Sequence, residues 1–296
     1  MGGLVTILKM AALLLVLGII GFLVVFLQNF QEDFQVPVGP GSGSLEEILE
    51  DNEQIGFEAG QYEFNRALEL IALGELDQAR EMLHLIDNLY PGSTNAPEAR
   101  RILGEMNLDE ILSVENMANK TIHRVAPGEG YLRIATRNKT TLDAIMFLNG
   151  LTGFDDLHTG DELIVMALDF KLVVDLARMR VELFHRDRQK KEHVFARDYR
   201  ILASTLSRIS GGPYQTEISR KNGEVGESVY PPSQSRYRHA NKVLGMKVGR
   251  SVVQLRPLPQ EGEEKPPRSL FLSPPDMEEL SMLIRVGNEV EFRTSE

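Results

Sequence analysis

Hydrophobic and polar residues follow a different period in each part of this chain, and the period predicts the element. Residues 4–27, LVTILKMAALLLVLGIIGFLVVFL, are apolar apart from Thr6 and Lys9. A run of this length matches the ~20 residues a helix needs to cross a bilayer. It exceeds the ~7–15 apolar residues of a cleavable signal, and the following QNFQEDF has no small-x-small cleavage site. The pattern therefore predicts an uncleaved transmembrane signal anchor. Lys9 near its start and Glu32 and Asp33 beyond its end favour a cytoplasmic N-terminus with the body exported. Residues 28–44 include the Pro/Gly/Ser stretch QVPVGPGSGS and predict a flexible tether.

From Ser44 the period becomes helical. SLEE fits a capping box, and Ile48, Leu49 and Ile55 share one face. Ala67, Leu68 and Ile71 fill the face of a further helix that stops at Gly74. Ala79, Leu83 and Ile86 fill the next, Tyr90-Pro91-Gly92-Ser93 ends it, and a third starts at Ala96. Over 121–166 the cues are a strand at Ile122 to Val125, a Pro127-Gly128 turn and a helix from Tyr131 to Arg137. A helix from Leu142 to Leu148, capped by Thr141 and ended by Asn149-Gly150, and a strand from Glu162 to Met166 complete a βααβ unit.

From Phe170 the alternation is that of strands, at Leu172 to Val174 and Arg180 to Phe184, with a charged hairpin around Asp187 to Lys191. The chain closes on PPRSLFLSPPDMEELSMLIRVGNEVEF, residues 266–292, which reads as strand, loop, short helix and strand. Its helix starts at the Ser273 to Asp276 signal and its last strand spans Asn288 to Phe292. The predicted fold class is multidomain α+β: a transmembrane helix, a helical repeat-like segment, a βααβ module and a mostly-β C-terminal domain.

Composition narrows the chemistry. Among the 296 residues there is no cysteine, which removes disulfides, thiolate metal sites and a cysteine nucleophile. The six histidines are dispersed without zinc-ligand spacing, so no metal and no cofactor are expected. Residues 45–118 carry 17 Asp/Glu against 4 Arg, a net of −13, whereas residues 119–296 carry 24 against 27 Lys/Arg, a net of +3. No dense basic stripe of the kind that binds nucleic acid is present.

The motifs resemble known families. Within 45–118, a helix pair of about 34 residues with Gly at its turn and Pro near its end resembles a tetratricopeptide repeat, which implies a spacer or a surface for a protein partner. Residues 121–167 resemble a LysM domain. PGEGYLRIA stands where that family has PGDTLxxIA, TTLDAIMFLNGL where it has its second helix and Asn-Leu exit, and HTGDELIV where it has its PGxxLxI ending. The resemblance implies binding of N-acetylglucosamine-containing glycans, usually peptidoglycan, in a groove between two loops. By position these supply Gly128, Glu129, Gly130, Tyr131 and Leu132 from the first, and Leu151, Thr152, Gly153, Phe154, Asp155 and Leu157 from the second. Gly130 departs from the usual Thr or Ser.

Residues 169–296 resemble the catalytic domain of L,D-transpeptidases through VVDLxxxRxxLF, GPYQTEI, HANKVLG and the closing segment. That family cross-links peptidoglycan stem peptides through a cysteine. Its Cys-x-Arg-x-Ser falls here on Ser269, Phe271 and Ser273, and its His-Gly pair falls on Gln254 and Leu255. A serine without a base is a weak nucleophile. The resemblance thus implies a pseudoenzyme, with Arg250, Arg256 and Arg268 as a candidate basic groove.

The sequence as a whole predicts a bacterial envelope protein, single-pass in the inner membrane with its body in the periplasm or wall space, that binds peptidoglycan through residues 121–167. An envelope partner on helices 45–118 is compatible with this, and nucleic acid is not. Two alternatives stay open: an active serine transpeptidase or hydrolase using Ser269, and a structural scaffold of an envelope complex.

Overall fold

The computed structural model describes residues 58–153, 157–187, 192–206 and 214–293. The anchor expected over 4–27, the tether and the helix expected from Ser44 lie outside them. Three helices come first, α1 (Gln61–Leu73), α2 (Leu76–Leu89) and α3 (Ala96–Leu112). Gly74 ends α1 in the left-handed region at φ 78°, a conformation open to glycine at little cost. Ala67, Leu83, Ile86, Ala99 and Leu103 form the core of the three helices. Leu68, expected on the buried face of α1, is 42% exposed, and Leu70 is buried in its place.

The βααβ unit follows as β1 (Lys120–Arg124), α4 (Tyr131–Arg137), α5 (Leu142–Leu148) and β2 (Glu162–Met166). β1 and β2 pair antiparallel, from Lys120 opposite Met166 to Arg124 opposite Glu162. Val125, Ile134, Ala135, Ile145, Leu163 and Val165 fill the space between the two-stranded ladder and the two helices.

The remaining strands are β3 (Phe170–Asp175), β4 (Arg180–Asp187), β5 (Glu192–Arg200), β6 (Ala203–Ser204), β7 (Tyr214–Val225), β8 (Ser228–Tyr230), β9 (Asn241–Val248), β10 (Ser251–Pro257), β11 (Ser269–Leu272) and β12 (Glu289–Arg293). They form one sheet in the order β5-β4-β3-β12-β7-β9-β10-β11-β6, with β8 paired to β7. The β12–β3 and β10–β11 pairs are parallel. Helix α6 (Pro274–Leu283) joins β11 to β12. The Ser273 hydroxyl accepts from the Asp276 N–H at 3.2 Å and starts α6 at the expected signal.

One core unites these parts. Leu108 and Leu112 of α3 and Ala144, Leu148, Met166 and Leu168 of the βααβ unit are buried together with Leu183, Tyr199, Leu255, Leu280 and Phe292 of the sheet domain. Each large side chain so buried contributes ~1.5–3 kcal/mol. Polar contacts add to this packing: Arg100 of α3 donates to Glu182 of β4 at 2.9 Å, and Asn107 donates to the Phe195 carbonyl of β5 at 3.1 Å. Close backbone approach helps: a Cβ on Gly104 of α3 would lie 3.1 Å from the Arg197 Cα of β5.

Two expectations are corrected. The fold is mixed α+β around a large sheet, and no helix among the described residues is long and apolar enough to cross a membrane. The single-pass inner-membrane location, and the membrane as a partner, accordingly find no spanning helix to rest on, and the segment from which they were inferred lies outside the described residues. The first strand expected in 266–292 is β11, held by parallel pairing to β10 and by antiparallel pairing of Leu270 and Phe271 to Ser204 and Ala203 of β6.

Candidate functional site

The loops of the βααβ unit are rooted on one core. Tyr131 from the first, and Leu151 and Leu157 from the second, pack half-buried against the Val125–Ile134–Ile145 cluster. Gly128, Gly130, Leu132 and Thr152 are exposed and Gly153 is half-exposed, whereas Phe154 and Asp155 lie outside the described residues. Gly128 takes φ 69° in the turn. Gly130 is the N-cap of α4 with no side-chain cap, whereas Thr141 at the N-cap of α5 accepts from the Ala144 N–H at 3.0 Å. The hydroxyl missing at position 130 is therefore first of all a missing helix cap.

Glu129 does not reach into solvent as a sugar ligand would. It is buried, and its carboxylate accepts from the Ala126 N–H at 3.1 Å and from His123 Nε2 at 2.9 Å, with Arg137 at 3.6 Å. The Ala126 N–H, then His123 and Arg137, hold its carboxyl below the usual carboxylate range. His123 Nδ1 faces Asn138 Nδ2 at 3.4 Å, so the ring donates through Nε2 and accepts through Nδ1. The second loop has its own clamp. Asn149 Nδ2 donates to the Ile145 and Ile164 carbonyls and Asn149 Oδ1 accepts from the Ile164 N–H at 2.8 Å, tying the end of α5 to β2. Sequence reasoning read Asn149 as a terminator alone and missed the His123–Glu129–Asn138 network, for which only the polar pairing across β1 and α4 offered a hint.

At the position expected for a nucleophile, Ser269 is fully buried. Its hydroxyl donates to the Pro267 carbonyl at 3.3 Å, and its N–H donates to Thr205 Oγ1 at 3.0 Å. The Thr205 hydroxyl in turn donates to the Pro266 carbonyl at 2.6 Å. Gln254, read as standing in for the base, is the direct parallel neighbour of Ser269, and its Oε1 accepts from Arg256 at 2.7 Å. Phe271, in place of a substrate-binding Arg, is fully buried, and Ser273 caps α6. The three C-terminal histidines lie elsewhere, His185 on β4, His193 on β5 and His239 in the 3-10 turn Ser235–His239. Of the arginines of the candidate groove, Arg256 pairs with Glu224 and Arg268 donates to Ser251. Among the described residues no group of His, Asp or Glu is placed to hold a metal ion.

No protein-family model matches this chain, and no curated protein matches it. Among solved structures it is similar to a fused Zn-dependent amidase/peptidase/peptidoglycan-binding domain-containing protein from Clostridium acetobutylicum. The identity is 10% and the TM-score 0.30, over 42% of this chain. The match spans about half of that protein's length, 51%.

Proposed function

We propose that this protein binds an N-acetylglucosamine-containing glycan of the peptidoglycan type through the loops Gly128–Leu132 and Leu151–Leu157, and that its sheet domain is a noncatalytic partner of that module. The observation that carries the reading is the pair of loops itself. Both root on one small core, both carry exposed residues, and each is held by a polar clamp, buried Glu129 for the first and half-buried Asn149 for the second. Loops offering amides and short polar groups suit a sugar chain that presents hydroxyls and N-acetyl groups without a charge focus. The likeness of 121–167 to LysM domains supports the same ligand. Against a serine enzyme stands the burial of Ser269, whose hydroxyl donates to the Pro267 carbonyl and has no hydrogen bond to a base among the described residues.

The test is cosedimentation of the full chain with purified insoluble peptidoglycan. The protein is expected in the pellet and to be released by soluble N-acetylglucosamine oligomers. A protein left wholly in the supernatant would sink the proposal. Muropeptide profiles changed by the wild type and not by Ser269→Ala would restore the serine enzyme instead.

A further inference from the structure

The two loops of the proposal above follow β1 and α5, whereas the start of β1 and the turn after α4 lie at the other end of the βααβ unit. There they line a small cleft of about 240 Å³. Asn119 and Thr121 come from the entry to β1, Arg137, Asn138 and Lys139 from the end of α4 and its turn, and Val165, the register partner of Thr121, from β2. Thr121, Arg137 and Lys139 are exposed and Asn119 is half-buried, so the cleft opens to solvent. Its lining contains two cations and no carboxylate.

Most of its polar groups are uncommitted. Among the described residues, the side chains of Asn119, Thr121 and Lys139 have no hydrogen bond or ion pair. Arg137 has the Glu129 carboxylate at 3.6 Å, beyond hydrogen-bond length, and that carboxylate is already held by the Ala126 N–H and His123. Asn138 is committed, donating to the Ile134 carbonyl at 2.9 Å. The neighbouring Lys120 donates to the Ile111 and Asn116 carbonyls instead.

The backbone at Lys139 points the same way. The Lys139 N–H donates to the Thr136 carbonyl at 3.3 Å and the Thr140 N–H to the Ala135 carbonyl at 2.9 Å, the pair of bonds that ends a helix on a left-handed residue. Lys139 is that residue, at φ 52°, where glycine fits with least strain. Asn119, also in the lining, is left-handed too, at φ 63°. Complementing the end of α4 requires no lysine at this position, because Arg137 already stands in the last turn. A cation held at a strained position beside a second cation and two uncommitted neutral groups describes a binding site for an anion.

We infer that this cleft binds a phosphate dianion, either free phosphate or the phosphate group of a small monoester. Two cations match its two charges. The Arg137 guanidinium and the Lys139 ammonium donate to the phosphate oxygens, and the Thr121 hydroxyl and the Asn119 amide supply the neutral donors. The volume lies below the ~300–1,000 Å³ of drug-sized ligand sites, so the phosphate enters while an organic substituent stays in solvent. A carboxylate or a phosphodiester carries a single charge and fits less well. The inference is independent of the glycan reading, since the cleft shares no residue with the two loops.

The test is a titration of the full chain with inorganic phosphate, glycerol phosphate, a glycerol phosphodiester and acetate, followed by backbone amide NMR shifts. Ionic strength is held constant and the pH is kept above the second ionisation of the phosphate group. Phosphate or its monoester is expected to give saturable shifts at Asn119, Thr121 and Arg137 to Lys139, and to bind at least roughly tenfold more tightly than the diester or acetate. Tighter binding of the monoester assigns an organic source and tighter binding of phosphate a free one; either upholds the inference. Lys139→Gly is expected to weaken binding roughly tenfold or more while the unfolding temperature holds or rises, because glycine relieves the left-handed lysine. Lys139→Arg is expected to keep the binding, and Thr121→Val to weaken it roughly threefold. No saturable shift at the cleft, equal affinity for the diester or acetate, or unaltered phosphate binding by Lys139→Gly would overturn the inference.

Discussion

The turn Ala126–Leu132 and the turn Pro266–Ser269 were both singled out in the sequence by a family resemblance, yet they are built in opposite ways. In the first, the charged side chain turns inward, where Glu129 fixes the main chain, and the glycines and Leu132 face solvent. In the second, the residue at the reactive position turns inward, and Ser269, Leu270 and Phe271 are all part of the interior. A polar group folded inside holds a loop, whereas a nucleophile folded inside cannot meet a substrate. Burial of the side chain, which a motif does not encode, separates a turn with exposed residues from one filled as core.

Substitutions that invert this difference sharpen it. The largest effect is expected at Phe271, which is fully buried. Phe271→Ala should cost ~3–5 kcal/mol in denaturant unfolding and leave glycan binding at saturation unchanged while the protein stays folded. Thr141→Ala should cost ~1–2 kcal/mol, since its hydroxyl caps α5 and also donates to the Met282 carbonyl of α6 at 2.6 Å.

Glu129→Gln should act through pH. The folded carboxyl is held below its ordinary range by the Ala126 N–H, His123 and Arg137, so its contribution is full above the unfolded pKa. That contribution is lost as pH falls through the lower folded value. Thermal melts of the wild type should therefore lose more stability on acidification than those of Glu129→Gln, and parallel acid curves would contradict the clamp. Gly130→Ser is the smallest change and has the opposite sign. The position has helix-cap geometry at φ −111° and open space around a new Cβ, so stability should rise by a few tenths of a kcal/mol.

The sequence revealed most where structure is local. The bounds of α4, α5 and β2 coincide with those expected, because Thr141, Asn149-Gly150 and Thr159-Gly160-Asp161 mark starts and stops within a few residues of the elements they bound. The start of α6 at Ser273 was legible for the same reason. What could not be read depended on partners distant in the chain. Ser269 is buried where Thr205 and Pro267 hydrogen-bond with it. Leu68 and Leu70 look alike in a helical pattern, and only the packing of α2 and α3 against α1 decides which faces inward. The shared core of Leu108, Leu148 and Met166 with the sheet domain was equally invisible to a reading that treated the segments in turn. Of the two loops of the βααβ unit, the exposed glycines were legible, but the inward turn of Glu129 was not.

Backbone amide shifts of the full chain, followed by NMR while an N-acetylglucosamine oligomer is titrated in, address both turns at once. The account predicts saturable shifts confined to Gly128–Leu132, Leu151–Leu157 and their immediate neighbours, with Ser269–Leu272 unmoved. Shifts centred on β10 and β11, or none at the two loops at saturating oligomer, would contradict it.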